Sequence, residues 1–198
     1  MLFSFTRILA ALAAAVLLLP SLASGADAER GEILFDTCVG CHGSESYDNV
    51  YPTYKVPRLQ GQWPEYIVVA LQGYNDGSRN HPTMSAQASS FNTEDMQDIA
   101  AYLATVGEIS TGDVVGTAPE SAATCVACHG ANGQSMVSAF PHLAGQHESY
   151  MVQTLKDYKS GARTNPVMSP NALNLSDADM EAISAFYAQQ EGLQTYSD

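Results

Sequence analysis

The most regular hydrophobic pattern in the chain is helical, and it occurs once in each half. Apolar residues recur at intervals of three and four after Asn92, a candidate helix N-cap, and again after Ser176. The apolar faces so formed are Met96, Ile99, Ala100 and Leu103 in the first copy, and Met180, Ile183 and Tyr187 in the second. Two further helices are predicted at residues 28–36 and 64–73. Few segments alternate with a period of two, so the chain is predicted to be all-α, without a sheet of any size.

The longest apolar run lies near the N-terminus, from Ile8 to Leu19. Arg7 precedes it and small residues follow it up to Ala26, which is the pattern of a secretory signal peptide. Its twelve residues fall short of the roughly 20 that span a bilayer, and an uncleaved anchor is the alternative. We therefore expect residues 1–25 to be removed on export, and no later stretch to insert into a membrane.

An internal repeat divides the rest of the chain into two units. The motif Pro-x-Leu-x-Gly-Gln at residues 57–62 recurs at 141–146, and Pro-x-Met-Ser at 82–85 recurs at 166–169, both at an offset of 84 residues. The first unit carries three extra residues within 47–54, which we interpret as a loop insertion. The predicted organisation is a signal peptide at 1–25, an N-terminal unit at 26–108, a linker at 109–118 and a C-terminal unit at 119–198.

All four cysteines of the chain belong to two copies of a Cys-x-x-Cys-His motif. The residues are Cys38, Cys41 and His42 in the first copy, and Cys125, Cys128 and His129 in the second. This spacing is typical of c-type haem attachment, in which two thiols form thioethers with one porphyrin and the histidine binds its iron. Two redox disulfides, or one zinc site made of four thiolates, are the alternatives, but they explain neither histidine. The motifs therefore predict two covalently bound haem c groups, one in each unit.

The second axial position of each iron decides between electron transfer and catalysis. Met84 and Met168 are the candidates, because each occupies the same place in its unit, in a turn-rich Pro-x-Met-Ser stretch. The alternatives are core packing of the methionines and, in the first unit, ligation by His81, whose counterpart is Asn165. With histidine and methionine as ligands the iron has no vacant position, and its natural activity is outer-sphere transfer of one electron.

The same repeat suggests which residues surround the haem ligands. Pro57 and Pro141 would each present a carbonyl to the ring N–H of the haem-motif histidine. Arg79 and Arg163 suit haem propionates, with a solvated arginine as the alternative. The histidines without a counterpart in the other unit are expected on the solvated surface, and they are His81, His142 and His147.

Composition makes the mature chain strongly acidic. Eight Lys and Arg against 21 Asp and Glu give a net charge of −13, and loss of Arg7 with the signal peptide makes it −14. Such a chain repels nucleic acid and anionic lipid, which argues against both as direct partners. A redox protein with a basic docking face is favoured as the partner, and the alternative is that the charge serves only solubility.

Together the motifs resemble those of the dihaem cytochrome c4 family. Cys-His-Gly, Pro-x-Leu-x-Gly-Gln, Tyr-x-x-Gly-x-Arg and Pro-x-Met-Ser follow one another twice, and the second unit is the closer copy. The first unit departs from the family pattern in its insertion and in the segment 72–78. The resemblance implies two tandem class I cytochrome c domains related by pseudo-twofold symmetry, each built around one covalent haem, with haem edges that meet at the interface.

For function, the resemblance implies a periplasmic electron carrier of a respiratory chain, not an enzyme. Its donor would be a cytochrome bc complex or a periplasmic dehydrogenase, and its acceptor a terminal haem–copper oxidase. Any membrane association would run through such partners, and the chain is expected to be a monomer. The main alternative is a dihaem subunit of a periplasmic dehydrogenase such as flavocytochrome sulfide dehydrogenase. A catalytic dihaem enzyme or a sensor would need an open axial position, whereas both units offer a methionine.

Overall fold

Eight α-helices and one small β-hairpin make up residues 25–197, the part of the chain that this computed structural model describes. The helices of the first unit are α1 Ala28–His42, α2 Pro64–Asp76, α3 Pro82–Ala88 and α4 Thr93–Thr105. Those of the second are α5 Val126–His129, α6 Glu148–Ser160, α7 Met168–Leu173 and α8 Asp177–Ala188, after a 3₁₀ turn at Glu120–Ala122. The all-α prediction is confirmed. The predicted signal peptide, apart from Gly25, lies outside the described residues, and within those residues no helix is long and apolar enough to cross a membrane.

The last helix of each unit begins at the N-cap that the sequence predicts. The Asn92 side chain accepts a hydrogen bond from the Asp95 main-chain N–H at 3.0 Å, and the Asp95 carboxylate accepts one from the Asn92 N–H at 2.9 Å. Ser176 and Asp179 form the same capping box at the start of α8. Each box satisfies two main-chain donors that would otherwise lack a partner, so local sequence alone sets where α4 and α8 begin.

Two helices run further than the hydrophobic pattern indicates. Helix α1 continues past Asp36 to His42, so the whole first haem motif is helical. Helix α2 passes through Gly73 and ends at Gly77, whose φ of 83° is left-handed, and Gly161 ends α6 in the same way with a φ of 84°. Helix α2 therefore ends at Gly77, which the repeat duplicates as Gly161, and not at Gly73 as predicted.

The core of the first unit forms where α1 crosses α4. Its buried side chains are Phe35, Ile67, Ile99, Ala100, Tyr102 and Leu103. Gly31 marks the closest approach, since a Cβ there would lie 1.9 Å from the carbonyl oxygen of Asp98. Beside this crossing, Arg30 bridges the carboxylates of Asp95 and Asp98. The glycine thus allows the crossing, and the ion pairs hold α1 against α4.

The second unit has its own core, between α6 and α8. Its buried side chains are Ala122, Met151, Ile183, Phe186 and Tyr187. Only the 3₁₀ turn and the four residues of α5 stand where the first unit has the fifteen residues of α1. The two units are therefore similar in their last helices and different in the segment that carries the haem motif.

The last described residues of the chain leave the second unit and complete the first; we call residues 193–197 the C-terminal strap. Gln194 pairs with Gln60 through two main-chain hydrogen bonds of 3.1 and 3.2 Å. Tyr196 is buried against Phe35, with ring centroids 4.9 Å apart, and its hydroxyl lies 2.7 Å from that of Tyr102. The core of the N-terminal unit therefore includes a side chain from the far end of the sequence.

The insertion in the first unit forms a hairpin rather than an irregular loop. Its antiparallel strands are β1 Asp48–Val50 and β2 Thr53–Lys55. The hairpin lies against α6 of the other unit, where the Lys55 N–H donates to Ser149 Oγ at 3.0 Å and Tyr54 is buried with its ring 6.3 Å from that of Tyr150. Tyr51 at the tip is 96 % exposed. The insertion thus extends the interface between the units on one side only.

Elsewhere the two units meet through equivalent positions. Arg79 and its repeat counterpart Arg163 pair as an isolated antiparallel bridge. Main-chain hydrogen bonds flank this bridge, from Asn80 to Ala162 at 2.9 Å and from Thr164 to Ser78 at 2.7 Å. A residue that pairs with its own counterpart lies on the axis that relates the two copies. The pseudo-twofold relation that the family resemblance implies is therefore present, with its axis between Arg79 and Arg163.

Candidate haem-binding sites

In the first unit, α1 positions the complete haem motif. Cys38 and Cys41 are three residues apart and so lie on the same side of the helix, and His42 is its last residue. His42 is buried, and its Nδ1 lies 2.9 Å from the carbonyl oxygen of Pro57. Because a carbonyl can only accept, Nδ1 carries the proton and Nε2 keeps its lone pair. This is the tautomer that an iron-binding imidazole requires.

The second unit reaches the same geometry from a different local structure. Cys125 precedes the short helix α5, which contains Cys128 and ends at His129. His129 is 4 % exposed, and its Nδ1 lies 2.9 Å from the carbonyl oxygen of Pro141. Burial lowers the pKa of His129, although the bond to Pro141 opposes this, and the same balance lowers the pKa of His42. Both rings are therefore neutral near pH 7, with Nε2 available to a metal.

The four cysteines are partly exposed, and no disulfide joins any of them. Among residues 25–197 there is no group of three or more His, Cys, Asp or Glu side chains that could hold a metal ion. The single zinc site considered as an alternative for the four thiolates is therefore not formed in this part of the chain.

Met84 and Met168 lie in short helices, where the sequence analysis expected irregular turns. Met84 is in the first turn of α3 and Met168 is the first residue of α7, and both are half-buried. The main-chain N–H of Met84 donates to His81 Nδ1 at 3.2 Å, and that of Met168 donates to Asn165 Oδ1 at 2.9 Å. His81 and Asn165 differ in type, but each accepts the hydrogen bond that fixes the main chain at the methionine.

Two arginines, Arg79 and Arg163, are buried side by side at the interface, which makes the alternative of solvated arginines wrong. They are only 8 % and 6 % exposed. Both guanidinium groups donate to the hydroxyl of Tyr66, at 3.1 and 2.9 Å. They also lie over the rings of Tyr74 and Tyr158, at 5.5 and 4.6 Å from the ring centroids. Burial raises the pKa of Tyr66, but the two cations outweigh it and lower the pKa to about 8.

This arginine pair provides a test of whether the site fits a haem. Within residues 25–197 neither guanidinium has a carboxylate at ion-pairing distance, and the buried Nε of Arg163 has no hydrogen-bond partner there. A buried charge is costly unless it is paired. Two buried cations with an unused donor suit the propionates of the two haems. The four cysteines likewise suit the vinyl groups of the two haems, and the two histidine Nε2 atoms suit their irons.

His142 is not on the solvated surface, so that prediction is wrong. It is 5 % exposed, its ring stacks on Trp63 of the other unit at 4.8 Å, and its Nδ1 accepts from the Ser135 N–H at 3.1 Å. Burial lowers its pKa to about 4, so the ring is neutral. His147 is half-buried, with Nε2 3.8 Å from a Glu45 carboxylate oxygen. The burial of His142 could not be predicted from the sequence because Trp63, which covers it, belongs to the other repeat.

Gln62 and Gln146 belong to the repeated motif, but no role for them was predicted from the sequence. Each is buried, and each binds the main chain of the opposite unit with both atoms of its side-chain amide. In the sequence, the one signal of a role for these two glutamines was that the repeated motif contains both of them. The partners they bind, at residues 142 and 58, belong to the same motif in the other copy.

Comparison with known proteins agrees with this geometry. The family model described as Cytochrome c matches residues 28–107 and again residues 120–190. Cytochrome c4 of Pseudomonas aeruginosa is 32 % identical over 177 residues, which covers 81 % of this chain and 87 % of that protein. The thiosulfate dehydrogenase electron acceptor of Stutzerimonas stutzeri is 28 % identical over 169 residues, covering 76 % of this chain and 77 % of that protein.

Among solved structures, cytochrome c4 from Acidithiobacillus ferrooxidans superposes with a TM-score of 0.63 at 30 % identity, over 78 % of this chain and 98 % of that one. The tandem haem motifs, the duplicated histidine–proline contacts and the similarity over most of the chain lead to one conclusion. The chain belongs to the cytochrome c4 family of dihaem electron-transfer proteins, and it carries two covalently bound haem c groups.

Proposed function

We propose that the protein is a periplasmic one-electron carrier that receives electrons at one haem and passes them on from the other. Cys38 and Cys41 would hold the first haem, and Cys125 and Cys128 the second. The observation that carries the proposal is the duplicated proximal geometry, in which each histidine is neutral, buried and held by a proline carbonyl at 2.9 Å.

The proposed iron ligands are His42 and Met84 in the first unit, and His129 and Met168 in the second. When bound to these residues, each haem would supply one-electron redox chemistry at its iron. The protein's task is to hold both axial ligands still, so that the change of charge causes little movement. His81 and Asn165 support this by fixing the main chain at the two methionines. A thioether ligand favours ferrous iron and raises the reduction potential.

Arg79 and Arg163 are proposed to bind haem propionates. Because the two arginines lie on the axis between the units, they would hold propionates of both haems at the same place. Tyr66 accepts from both guanidinium groups and keeps them aligned. Their positive charge at the interface would offset the charge of the propionates, which removes a cost of bringing the two haems close together.

For the cellular role, we propose export with cleavage of residues 1–25, and two domains at 26–108 and 119–198 joined by the linker 109–118. Electrons would come from a cytochrome bc complex or a periplasmic dehydrogenase and leave to a haem–copper oxidase. The net charge of the chain, −13, supports partners that present basic docking faces.

A second candidate is a dedicated electron acceptor or subunit of one periplasmic dehydrogenase. The similarity to a protein named thiosulfate dehydrogenase electron acceptor favours it. A flavocytochrome sulfide dehydrogenase is another enzyme of this kind. Purification of the native holoprotein separates the candidates, since a stoichiometric dehydrogenase partner supports the subunit role and a free dihaem protein supports the mobile carrier.

The ligand assignment is tested by Met84→Ala and Met168→Ala in the dihaem holoprotein. Each should remove one of two sulfur-to-iron contributions near the red end of the oxidised spectrum, lower one of two potentials and let the reduced haem bind carbon monoxide. The controls are Met96→Leu and Met180→Leu, which replace methionines that are 1 % and 0 % exposed in the two cores and should change none of these readouts. Survival of both sulfur bands in either alanine variant would show that the assigned methionine is not a ligand.

A further inference from the structure

One peptide group connects the proximal histidine of the first unit to the second unit. The carbonyl of this group belongs to Pro57 and pairs with His42 Nδ1 at 2.9 Å. Its N–H belongs to Arg58 and donates to Gln146 Oε1 at 2.9 Å. A continuous chain of two hydrogen bonds therefore runs from the imidazole, through a single peptide bond, to a glutamine of the opposite unit.

The second unit contains the same chain in the reverse direction. The carbonyl of Pro141 pairs with His129 Nδ1 at 2.9 Å, and the N–H of the same peptide group, from His142, donates to Gln62 Oε1 at 2.9 Å. Gln62 and Gln146 are repeat counterparts, as are the two peptide groups. The pseudo-twofold axis thus exchanges the glutamines, so that each one serves the histidine of the other unit.

Both glutamines are held so that the accepting oxygen faces the peptide N–H. Gln146 Nε2 donates to the Arg58 carbonyl at 3.0 Å, and Gln62 Nε2 donates to the His142 carbonyl at 3.1 Å. A carbonyl can only accept, so the orientation of each amide follows from its partners. Gln146 and Gln62 are 5 % and 8 % exposed, which keeps water from replacing the oxygen.

We propose that Gln146 tunes the reduction potential of the haem on His42, and that Gln62 tunes that of the haem on His129. Each glutamine is a positioning residue for the haem of the opposite unit. The inference rests on the proposed function only in taking His42 and His129 as iron ligands.

The direction of the effect follows from the polarisation of hydrogen bonds in series. A peptide N–H that donates to a glutamine oxygen makes its own carbonyl a stronger acceptor, and burial increases the effect. A stronger bond to Nδ1–H makes the imidazole a better donor to iron, which favours the ferric state. Loss of the glutamine oxygen should therefore raise the potential of the haem in the other unit.

The experiment uses Gln146→Leu and Gln62→Leu in the dihaem holoprotein, with potentials measured by spectroelectrochemical titration. Met84→His and Met168→His assign each potential to a unit, because a second imidazole lowers the potential of its own haem. Gln146→Leu should raise the potential of the first haem and leave that of the second, and Gln62→Leu should do the reverse. Ser149→Ala is the control. Its Oγ accepts a hydrogen bond from the Lys55 N–H across the interface, and this bond belongs to neither of the two chains of hydrogen bonds.

A second readout comes from proton NMR of the reduced, diamagnetic holoprotein. The Nδ1–H resonance of His42 should move upfield in Gln146→Leu while that of His129 stays, and Gln62→Leu should show the opposite pattern. If a leucine variant fails to take up two haems, Gln146→Glu keeps an accepting oxygen and should move the His42 resonance downfield. No downfield movement in that variant would overturn the proposal.

The possible outcomes separate this inference from the proposed function. Equal shifts of both potentials, a shift confined to the glutamine's own unit, or no shift would show that the glutamines serve only to hold the interface together. If neither methionine-to-histidine variant lowers a potential, the ligand assignment is wrong and the inference falls with it. If those variants behave as expected and the crossed shifts are absent, only the inference is wrong.

Discussion

Removing the side chain of Tyr196, which lies near the C-terminus, should destabilise the N-terminal unit. Tyr196 belongs to the C-terminal strap, is 5 % exposed, and packs against Phe35 and Tyr102 in the core of the N-terminal unit. Truncating a buried aromatic residue to alanine costs about 3–5 kcal/mol, through lost burial and the cavity left behind. That is a large part of the about 5–15 kcal/mol that stabilises a typical domain.

A conservative variant separates the packing of Tyr196 from its hydrogen bond. Tyr196→Phe keeps the ring and removes the contact of 2.7 Å with the Tyr102 hydroxyl. The expected cost is about 1–2 kcal/mol, because Tyr102, which carries the partner hydroxyl, is buried at 8 % exposure. Tyr51→Ala is the control, since Tyr51 is 96 % exposed at the hairpin tip and its loss should change stability by less than about 0.5 kcal/mol.

Denaturant unfolding of the holoprotein measures this, provided that the two units are followed separately. The two haems give separate signals when Met84→His or Met168→His shifts the spectrum of one of them. In Tyr196→Ala the midpoint of the N-terminal unit should fall much further than that of the C-terminal unit. If the midpoint of the N-terminal unit in Tyr196→Ala equals that in Tyr51→Ala, the strap is not part of that unit's core in solution.

Three further predictions concern the helix crossing, acid stability and haem attachment. Gly31→Ala should destabilise the N-terminal unit by more than about 2 kcal/mol in a thermal melt, because the new Cβ would lie 1.9 Å from the Asp98 carbonyl oxygen. Gly40→Ala is the control, since a Cβ at that position would have no atom within 4 Å. The Asn92 N–H, with help from Arg30, holds the pKa of Asp95 below its usual value, so the stability it provides is present at neutral pH and is lost as the pH falls through that lowered pKa. Asp95→Asn should therefore flatten the acid limb of the stability curve, and an unchanged limb would contradict the assignment. Cys125→Ser with Cys128→Ser should leave one covalent haem per chain by mass spectrometry, and retention of two would contradict the attachment site.

Local chemistry allowed much of this protein to be predicted from its sequence. The capping boxes at Asn92 and Ser176 depend on residues three positions apart, so the start of α4 and α8 follows from the chain itself. The contacts of Pro57 and Pro141 with the haem-motif histidines were predicted as well, and the structure has both at 2.9 Å. The repeat made this possible, because a feature that occurs twice at a fixed offset rarely arises from the packing of a single site.

Contacts between the units could not be predicted in the same way. Nothing in residues 193–197 indicates that Tyr196 fills a core more than 90 positions earlier in the chain. His142 was expected in solvent because it has no histidine counterpart, yet Trp63 of the other unit covers it. The equivalent roles of His81 and Asn165 could not be predicted either. A ring nitrogen and an amide oxygen accept the same hydrogen bond from a methionine N–H, but this becomes evident only when the start of each helix is known.

The deviations from symmetry explain how two copies of one motif can become two different redox centres. Tyr66 accepts from both interface arginines, whereas its counterpart Tyr150 faces Tyr54 of the inserted hairpin. The hairpin exists in one unit only, and it packs against α6 of the other unit. The crossed glutamines bind the two proximal peptide groups alike. On the proposed tuning role, a difference between the two potentials would then come from features that the units do not share. Three such features in residues 25–197 are the haem-motif segment, which is a long helix in the first unit and a 3₁₀ turn with the short α5 in the second, the hairpin, which packs on α6, and the strap, which enters the core of α1 and α4.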